Sequence, residues 1–197
     1  MARPIAVVDY HKGNLSSVER GLVDAGGEVL VTDDPALIRD ASGVVLPGVG
    51  SFGDAMEFLR ESGEADAVLD ALARGVPFLG ICLGLQLLFE RGDETADGSW
   101  ADGLGVLSGS ATRLESTRLK VPHVGWDQVN LTPLGGACRL FRGVPDGANV
   151  YFTHSFALDD DVDAGVVTAR THYVRSFASA VGATILSNFV DVVRGGR

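Results

Sequence analysis

Residues 77–89 read PFLGICLGLQLLF, an apolar run that reaches a lone cysteine between two glycines and then resumes. PFLGIC is short enough to be a strand buried on both faces, and LGLQLLFER after it predicts a helix, which puts Cys82 at a strand-to-helix corner. Gly80 and Gly84 bracket the thiol in a G-x-C-x-G pattern. That is the cysteine counterpart of a nucleophile elbow, in which small residues permit a sharp turn and expose the central side chain. A helix N-terminus also favours thiolate, so the pattern predicts a lowered thiol pKa and partial ionisation. The plainer alternative is a free cysteine that fills space as a small hydrophobe. Glycine on both sides at a βα corner favours the nucleophile.

Working outward, IAVVDY at 5–10, EVLVT at 28–32 and GVVLPG at 43–48 are further buried strands, and LSSVERGLVDAG at 15–26 and FGDAMEFLRESG at 52–63 are helices ending in glycine. Strand–helix alternation implies parallel βαβ units. Beyond residue 106 the texture changes to ATRLES, HVGWDQVNL, ANVYFTHSF, GVVTARTHY and SFASAV, separated by Gly, Pro and Asp turns, which predicts antiparallel strands. ATILSNFVDVV at 183–193 predicts a closing helix, and DDDVD at 159–163 a solvated turn. The expected fold is α/β: an open, mostly parallel sheet with flanking helices, plus antiparallel strands in the C-terminal half, as a single domain over 1–197.

Composition limits the partners. With 16 basic against 26 acidic residues the net charge is −10, which argues against nucleic acid or an anionic membrane surface. Two cysteines, Cys82 and Cys138, form neither a disulfide framework nor a CxxC or Cys/His metal cluster. No stretch reaches the ~18–20 apolar residues of a membrane span, and MARPIAVVDY lacks a signal h-region. A cytoplasmic protein without metal or cofactor, acting on a small molecule or with another protein, is the expectation.

A thiol attacking a carbonyl needs donors for the developing oxyanion. LPGVGSFGDAM at 46–56 offers a strand ending in Pro47–Gly48–Val49–Gly50, whose backbone N–H groups would converge there. PGVG alone also suits an ordinary tight βα turn. Neighbouring strands of an open α/β sheet present their C-terminal loops to one crevice, and that links it to Cys82.

DYHKGNLSSV at 9–18, LPGVGSFGDAM, PFLGICLGLQLLF, KVPHVGWDQV at 120–129 and YFTHSF at 151–156 together resemble the cysteine-triad glutamine amidotransferases, and within them the glutaminase subunits of imidazole glycerol phosphate synthase. The motifs run in family order across nearly the whole chain. The resemblance implies a class I amidotransferase-like fold with Cys82 as the nucleophile that forms a γ-glutamyl thioester and releases ammonia. It implies Gly48 as a substrate-binding residue beside the oxyanion turn, Val49 and Gly50 as oxyanion donors, Gln86 as a substrate-binding side chain, and His154, Ser155 and Phe156 holding glutamine's α-groups. Gln86 read alone is equally a helix surface residue, and His154 a satisfied histidine at a strand end. Asn14, Lys120, Trp126 and Tyr151 are implied to face the partner, a (β/α)8-barrel cyclase subunit, although Trp126 also suits a core. The cyclase would use the ammonia to make imidazole glycerol phosphate and an aminoimidazole carboxamide ribotide in histidine biosynthesis. A different acceptor synthase on the same fold is the weaker alternative.

Two departures stand out. The family's catalytic base and orienting carboxylate lie in a His-Pro-Glu tripeptide, and none occurs here; none of His11, His123, His154 and His172 has a Glu two residues later. SFASAVGATILSNF passes at Val181–Gly182 from the family's strand straight to its final helix. Three accounts remain: a segment present in the full protein but outside this sequence, a deletion, or a chain that natively lacks it and docks on the cyclase as a non-catalytic pseudo-amidotransferase. DYHKGNL also puts His11 where the family usually has glycine; a φ above zero there would strain the loop.

Overall fold

The structure, a computed structural model, describes residues 3–181, 186–193 and 195. Four strands, β1 (Ile5–Val8), β2 (Val29–Thr32), β3 (Gly43–Gly48) and β4 (Phe78–Cys82), form a parallel sheet in the order β2-β1-β3-β4. The connections carry α1 (Leu15–Asp24), α2 (Pro35–Asp40), α3 (Phe52–Glu61) and α4 (Glu64–Ala73). Their starts are written locally: Asn14, Asp34 and Ser51 each accept a first-turn N–H with a side-chain oxygen, which satisfies donors the helix leaves free.

Successive strand residues serve opposite layers. Ala6, Val8, Val44 and Leu46 join Phe52, Met56 and Leu59 in one buried cluster, while Ile5, Val7, Val45 and Leu79 join Leu22, Phe189 and Val190 in another. A parallel sheet covered on both faces explains why its strands read as continuous apolar runs.

After β4 come α5 (Leu83–Gln86), β5 (Phe89–Gly92), β6 (Ala101–Asp102), β7 (Leu107–Arg113), β8 (His123–Leu131), α6 (Pro133–Ala137), β9 (Ala148–His154), β10 (Phe156–Leu158), β11 (Val167–His172), β12 (Ser176–Val181) and α7 (Leu186–Val193). A second sheet has the order β10-β7-β5-β6, and a third, antiparallel throughout, β12-β11-β8-β9. The α/β architecture with antiparallel strands in the second half is the one expected.

The helix expected over LGLQLLFER stops at Gln86. Residues 103–107 capture the backbone beyond it: Leu104 N–H donates to the Leu87 carbonyl, Val106 and Leu107 to that of Leu88, Gly105 to that of Phe89 and Gly103 to that of Glu90. Phe89 is thereby turned fully into the core. Helices α2 and α4 were not anticipated. DDDVD is more than a solvated turn, since Asp161 accepts from the Ser110 N–H and hydroxyl at 2.9 and 2.8 Å and Asp159 from the Thr112 hydroxyl at 2.8 Å. The Val181–Gly182 junction and the start of the closing helix lie outside the described residues. Among the described residues no helix is long and apolar enough to cross a membrane.

Phe89→Ala should lower unfolding free energy by about 3–5 kcal/mol, read from urea denaturation. A loss below about 1 kcal/mol would mean that β5 does not anchor this layer.

Candidate active site

Cys82 has φ 56° and ψ −116°, and with His11 (φ 61°) it is one of two non-glycine residues at positive φ among those described. Such a conformation costs on the order of 1–3 kcal/mol and persists only where its surroundings impose it. A Cβ at Gly80 would lie 2.6 Å from the Gly84 carbonyl oxygen, and one at Gly84 would run into the Leu46 carbonyl. Helix α5 therefore packs against β3 at a distance only glycine allows, and the chain must turn sharply at residue 82. Residue 82 is exposed, as an elbow requires, while cavity walls crowd its sulfur.

Register brings Gly48 directly opposite Cys82. Gly48, expected to bind substrate, does not line the thiol's cavity; a Cβ there would strike the buried Tyr10 hydroxyl, so the missing side chain lets the end of β3 pack down on Tyr10. Val49 is exposed, and Gly50 holds φ 98°, so a bend outside the range of most L residues follows the strand.

A cavity of about 170 Å³ joins these parts: Val49 and Gly50 on one side, Cys82, Leu83 and Gln86 beneath, and His154, Ser155 and Phe156 opposite, with Thr153 and Glu94. Ser155 is the link at which the chain leaves the third sheet (β9) for the second (β10). The Phe156 carbonyl accepts from Gln86 Nε2 at 3.2 Å and from His154 Nδ1 at 2.8 Å. Gln86 thus braces the 154–156 turn from α5 as well as lining the cavity. The motifs PGVG, GICLGLQ and YFTHSF, separated by up to a hundred residues, meet here.

Glu94 escaped the sequence reading. RGDETADG looks like any charged loop, and only packing reveals that burial, with Asp93 adding to it, pushes the Glu94 carboxyl up to about 7. The thiol departs from expectation too. Crowding by the cavity walls raises the Cys82 pKa above an ordinary cysteine's; the Leu83 N–H opposes this and Glu94 adds to it. A four-residue helix with a carboxyl nearby does not overcome desolvation, so the shift runs opposite to the lowering expected from the sequence.

Among the described residues no side chain hydrogen-bonds to Cys82. His11 donates its backbone N–H to Asp9 Oδ1 at 2.9 Å and its ring packs edge-on to Phe58, and His123 and His154 bond each other at 3.1 Å. Beside β4, two mainly apolar cavities of about 290 and 330 Å³ also reach Cys82; the larger is bounded by Ser179, Ala180 and Val181 at the end of β12. Of the residues expected to face a partner, Trp126 and Tyr151 form an exposed cross-strand pair with ring centroids 5.7 Å apart. Lys120 is exposed and its carbonyl accepts from Tyr173 Oη at 2.7 Å. Asn14 is exposed and spends its side-chain oxygen capping α1.

Alkylation of Cys82 by iodoacetamide should rise with pH along a curve whose midpoint lies above that of a free cysteine, because thiolate is the reacting form. A midpoint below about 8 would overturn the desolvation account.

Three comparisons bear on this arrangement. The family model for class-I glutamine amidotransferases matches residues 6–183. The "Imidazole glycerol phosphate synthase subunit HisH" of Moorella thermoacetica is 44% identical over 210 aligned positions, covering 98% of this chain and 96% of that protein. Since 98% of 197 residues is about 193, about 17 of those positions hold no residue of this chain. The protein of the same name from Geobacter metallireducens is 43% identical, over 90% of this chain and 84% of its own. A solved structure described as "Crystal structure of glutamine amidotransferase" covers 97% of this chain and 99% of its own with a TM-score of 0.67 at 15% identity, a likeness of fold. With an elbow cysteine at the C-terminal edge of a parallel sheet, and with relatives this close along most of its length, the chain belongs to the class-I glutamine amidotransferases, in the group of imidazole glycerol phosphate synthase HisH subunits.

Proposed function

We propose that residues 1–197 form a single glutaminase domain that hydrolyses glutamine to glutamate and ammonia and hands the ammonia to a cyclase subunit in histidine biosynthesis. The carrying observation is the strained, exposed Cys82 sharing one cavity with Val49–Gly50 and the 154–156 turn. Glutamine's side-chain carbonyl enters beside Sγ. Thiolate attacks Cδ, and the oxyanion is taken up by N–H groups of the Val49–Gly50 turn. Protonated nitrogen leaves as ammonia, and a thioester remains. Water then attacks the thioester, releasing glutamate and the thiol. Glu94 suits the α-ammonium: a carboxylate with few competing cations nearby, whose pKa falls as the substrate's charge arrives. The backbone of 154–156, braced by Gln86, holds the α-carboxylate side.

Thiol chemistry of this kind needs an imidazole to move the proton. We assign it to the His-Pro-Glu segment that the resemblance places after Val181. The cavities beside Cys82 that end at Val181, and the positions of the Moorella relative that this chain does not fill, support that assignment. The partner is a (β/α)8-barrel cyclase docking over the face that exposes Val49, Trp126 and Tyr151, with Lys120 and Asn14 at its margin; aromatic residues with a polar surround fit such an interface. No further cofactor is required, and the cytoplasm is the natural site.

The test is glutamate release by the native gene product with cyclase and nucleotide present. Activity should vanish in Cys82→Ala, and Glu94→Gln should raise KM for glutamine by about tenfold or more, the loss of one charge-assisted contact. Retained turnover in Cys82→Ala would sink the nucleophile assignment. Cyclase binding without glutaminase activity, at an intact mass near 20.6 kDa, would establish the non-catalytic reading instead.

A further inference from the structure

His123 stands outside the cavity yet is bonded into it. It lies on β8 directly opposite His154 on β9 and is 3% exposed. Its ring is held between Phe152 (centroids 4.9 Å apart, planes 13°) and Tyr173 (3.9 Å, 9°). The hydrogen bonds around it have a forced direction. A carbonyl only accepts, so His154 Nδ1, 2.8 Å from the Phe156 oxygen, carries the proton. In the neutral ring Nε2 is then bare and must accept, so His123 Nδ1, 3.1 Å away, is the donor. The remaining nitrogen, His123 Nε2, faces Asp127 Oδ2 at 3.6 Å.

We propose that His123 is the positioning residue of the substrate turn: its Nδ1–H locks His154 in the Nδ1–H tautomer, and that tautomer holds the Phe156 carbonyl so that Ser155 and Phe156 face the cavity. The proposal rests on reading 154–156 as the segment that holds glutamine. A second consequence concerns the base. With one ring nitrogen donating to Phe156 and the other accepting from His123, His154 has no lone pair to offer Cys82, so it does not stand in for the histidine of the His-Pro-Glu segment.

The groups that face this chain are Asp127 from β8, Tyr173 from the β11–β12 turn, and Cys82 and Glu94 across the cavity. A proton added to His123 goes to Nε2, toward Asp127, and leaves both bonds intact. A proton added to His154 goes to Nε2, sets two N–H groups face to face, and breaks the lock. Burial holds both imidazoles below the ordinary histidine range, with Asp127 opposing it at His123 and the Phe156 carbonyl opposing it at His154. The lock is therefore intact at neutral pH and fails in acid.

Imidazole nitrogen NMR of the ¹⁵N-labelled full chain at pH 7.5 should show His154 and His123 protonated at Nδ1 and bare at Nε2; a His154 protonated at Nε2 would overturn the proposal. Binding is read as protection of Cys82 from iodoacetamide by L-glutamine. His123→Phe keeps the ring stack and removes the donor, and should weaken protection about tenfold, the size of one buried hydrogen bond. His123→Asn puts an amide N–H at the Nδ1 position and should restore protection to within about threefold of the unsubstituted chain. Unchanged protection in His123→Phe, or equal loss in both variants, would refute the positioning role. Absence of any protection in the unsubstituted chain would instead sink the glutamine reading, with the tautomers still deciding whether the lock exists.

Discussion

The site depends on one close approach, that of Gly84 in α5 to the Leu46 carbonyl of β3. It allows no side chain on α5 at that point, and Gly80 beneath it allows none on β4. The chain between them has three residues, Ile81 to Leu83, in which to reverse from strand to helix, and Cys82 takes up the turn at φ 56°. The strain is offset by what the turn delivers to the core: Leu83 and Leu87, immediately past the elbow, are buried in the same cluster as Leu46 and Phe52. A larger residue at position 84 would push α5 outward, relax residue 82 and swing the thiol away from the Val49–Gly50 turn. Exposure of the nucleophile and packing of the core are thus one constraint.

The same packing sets the resting charge. Cys82 and Glu94 share a crowded cavity, and each is pushed toward its neutral form. A thiol held protonated is a poor nucleophile and one that resists adventitious alkylation and oxidation. An ammonium entering beside Glu94 would turn that carboxyl into a carboxylate, but the thiol would still need an imidazole. The described residues therefore build the cavity around the thiol, while activation of the sulfur needs an imidazole that none of them brings to it.

Most of this arrangement was legible in short, local patterns. GICLG marks an elbow because two glycines around one thiol at a βα corner have few other uses, PGVG sits at a strand end that α/β topology brings to the same crevice, and YFTHSF, on strands of the other two sheets, was linked to it only by the family resemblance. What was not legible depends on non-local pairing. LGLQLLFER has helical texture, and only the capture of its carbonyls by residues 103–107 makes the second half a strand. Glu94 lies in a loop whose composition hides its burial. His123 is part of KVPHVGW, where it reads as one residue of an interface motif; its link to His154 exists only because β8 and β9 pair in one register. The junction after Val181, which the sequence alone flags, is a matter of what the chain lacks.

That register also gives the β8–β9 hairpin two different faces. Val124 and Trp126 point outward, and Trp126 meets Tyr151 across the ladder. His123 points inward to His154, and Gly125 lies opposite Phe152, whose ring stacks on His123. An exposed aromatic pair and the imidazole pair of buried His123 and half-buried His154 are therefore carried by one paired element, three residues apart along β8. A protein that binds the outward face shifts the substrate turn only to the extent that it prefers one arrangement of this hairpin over another. The hairpin therefore carries the exposed Trp126–Tyr151 pair and the His123–His154 bond on its two faces through one register.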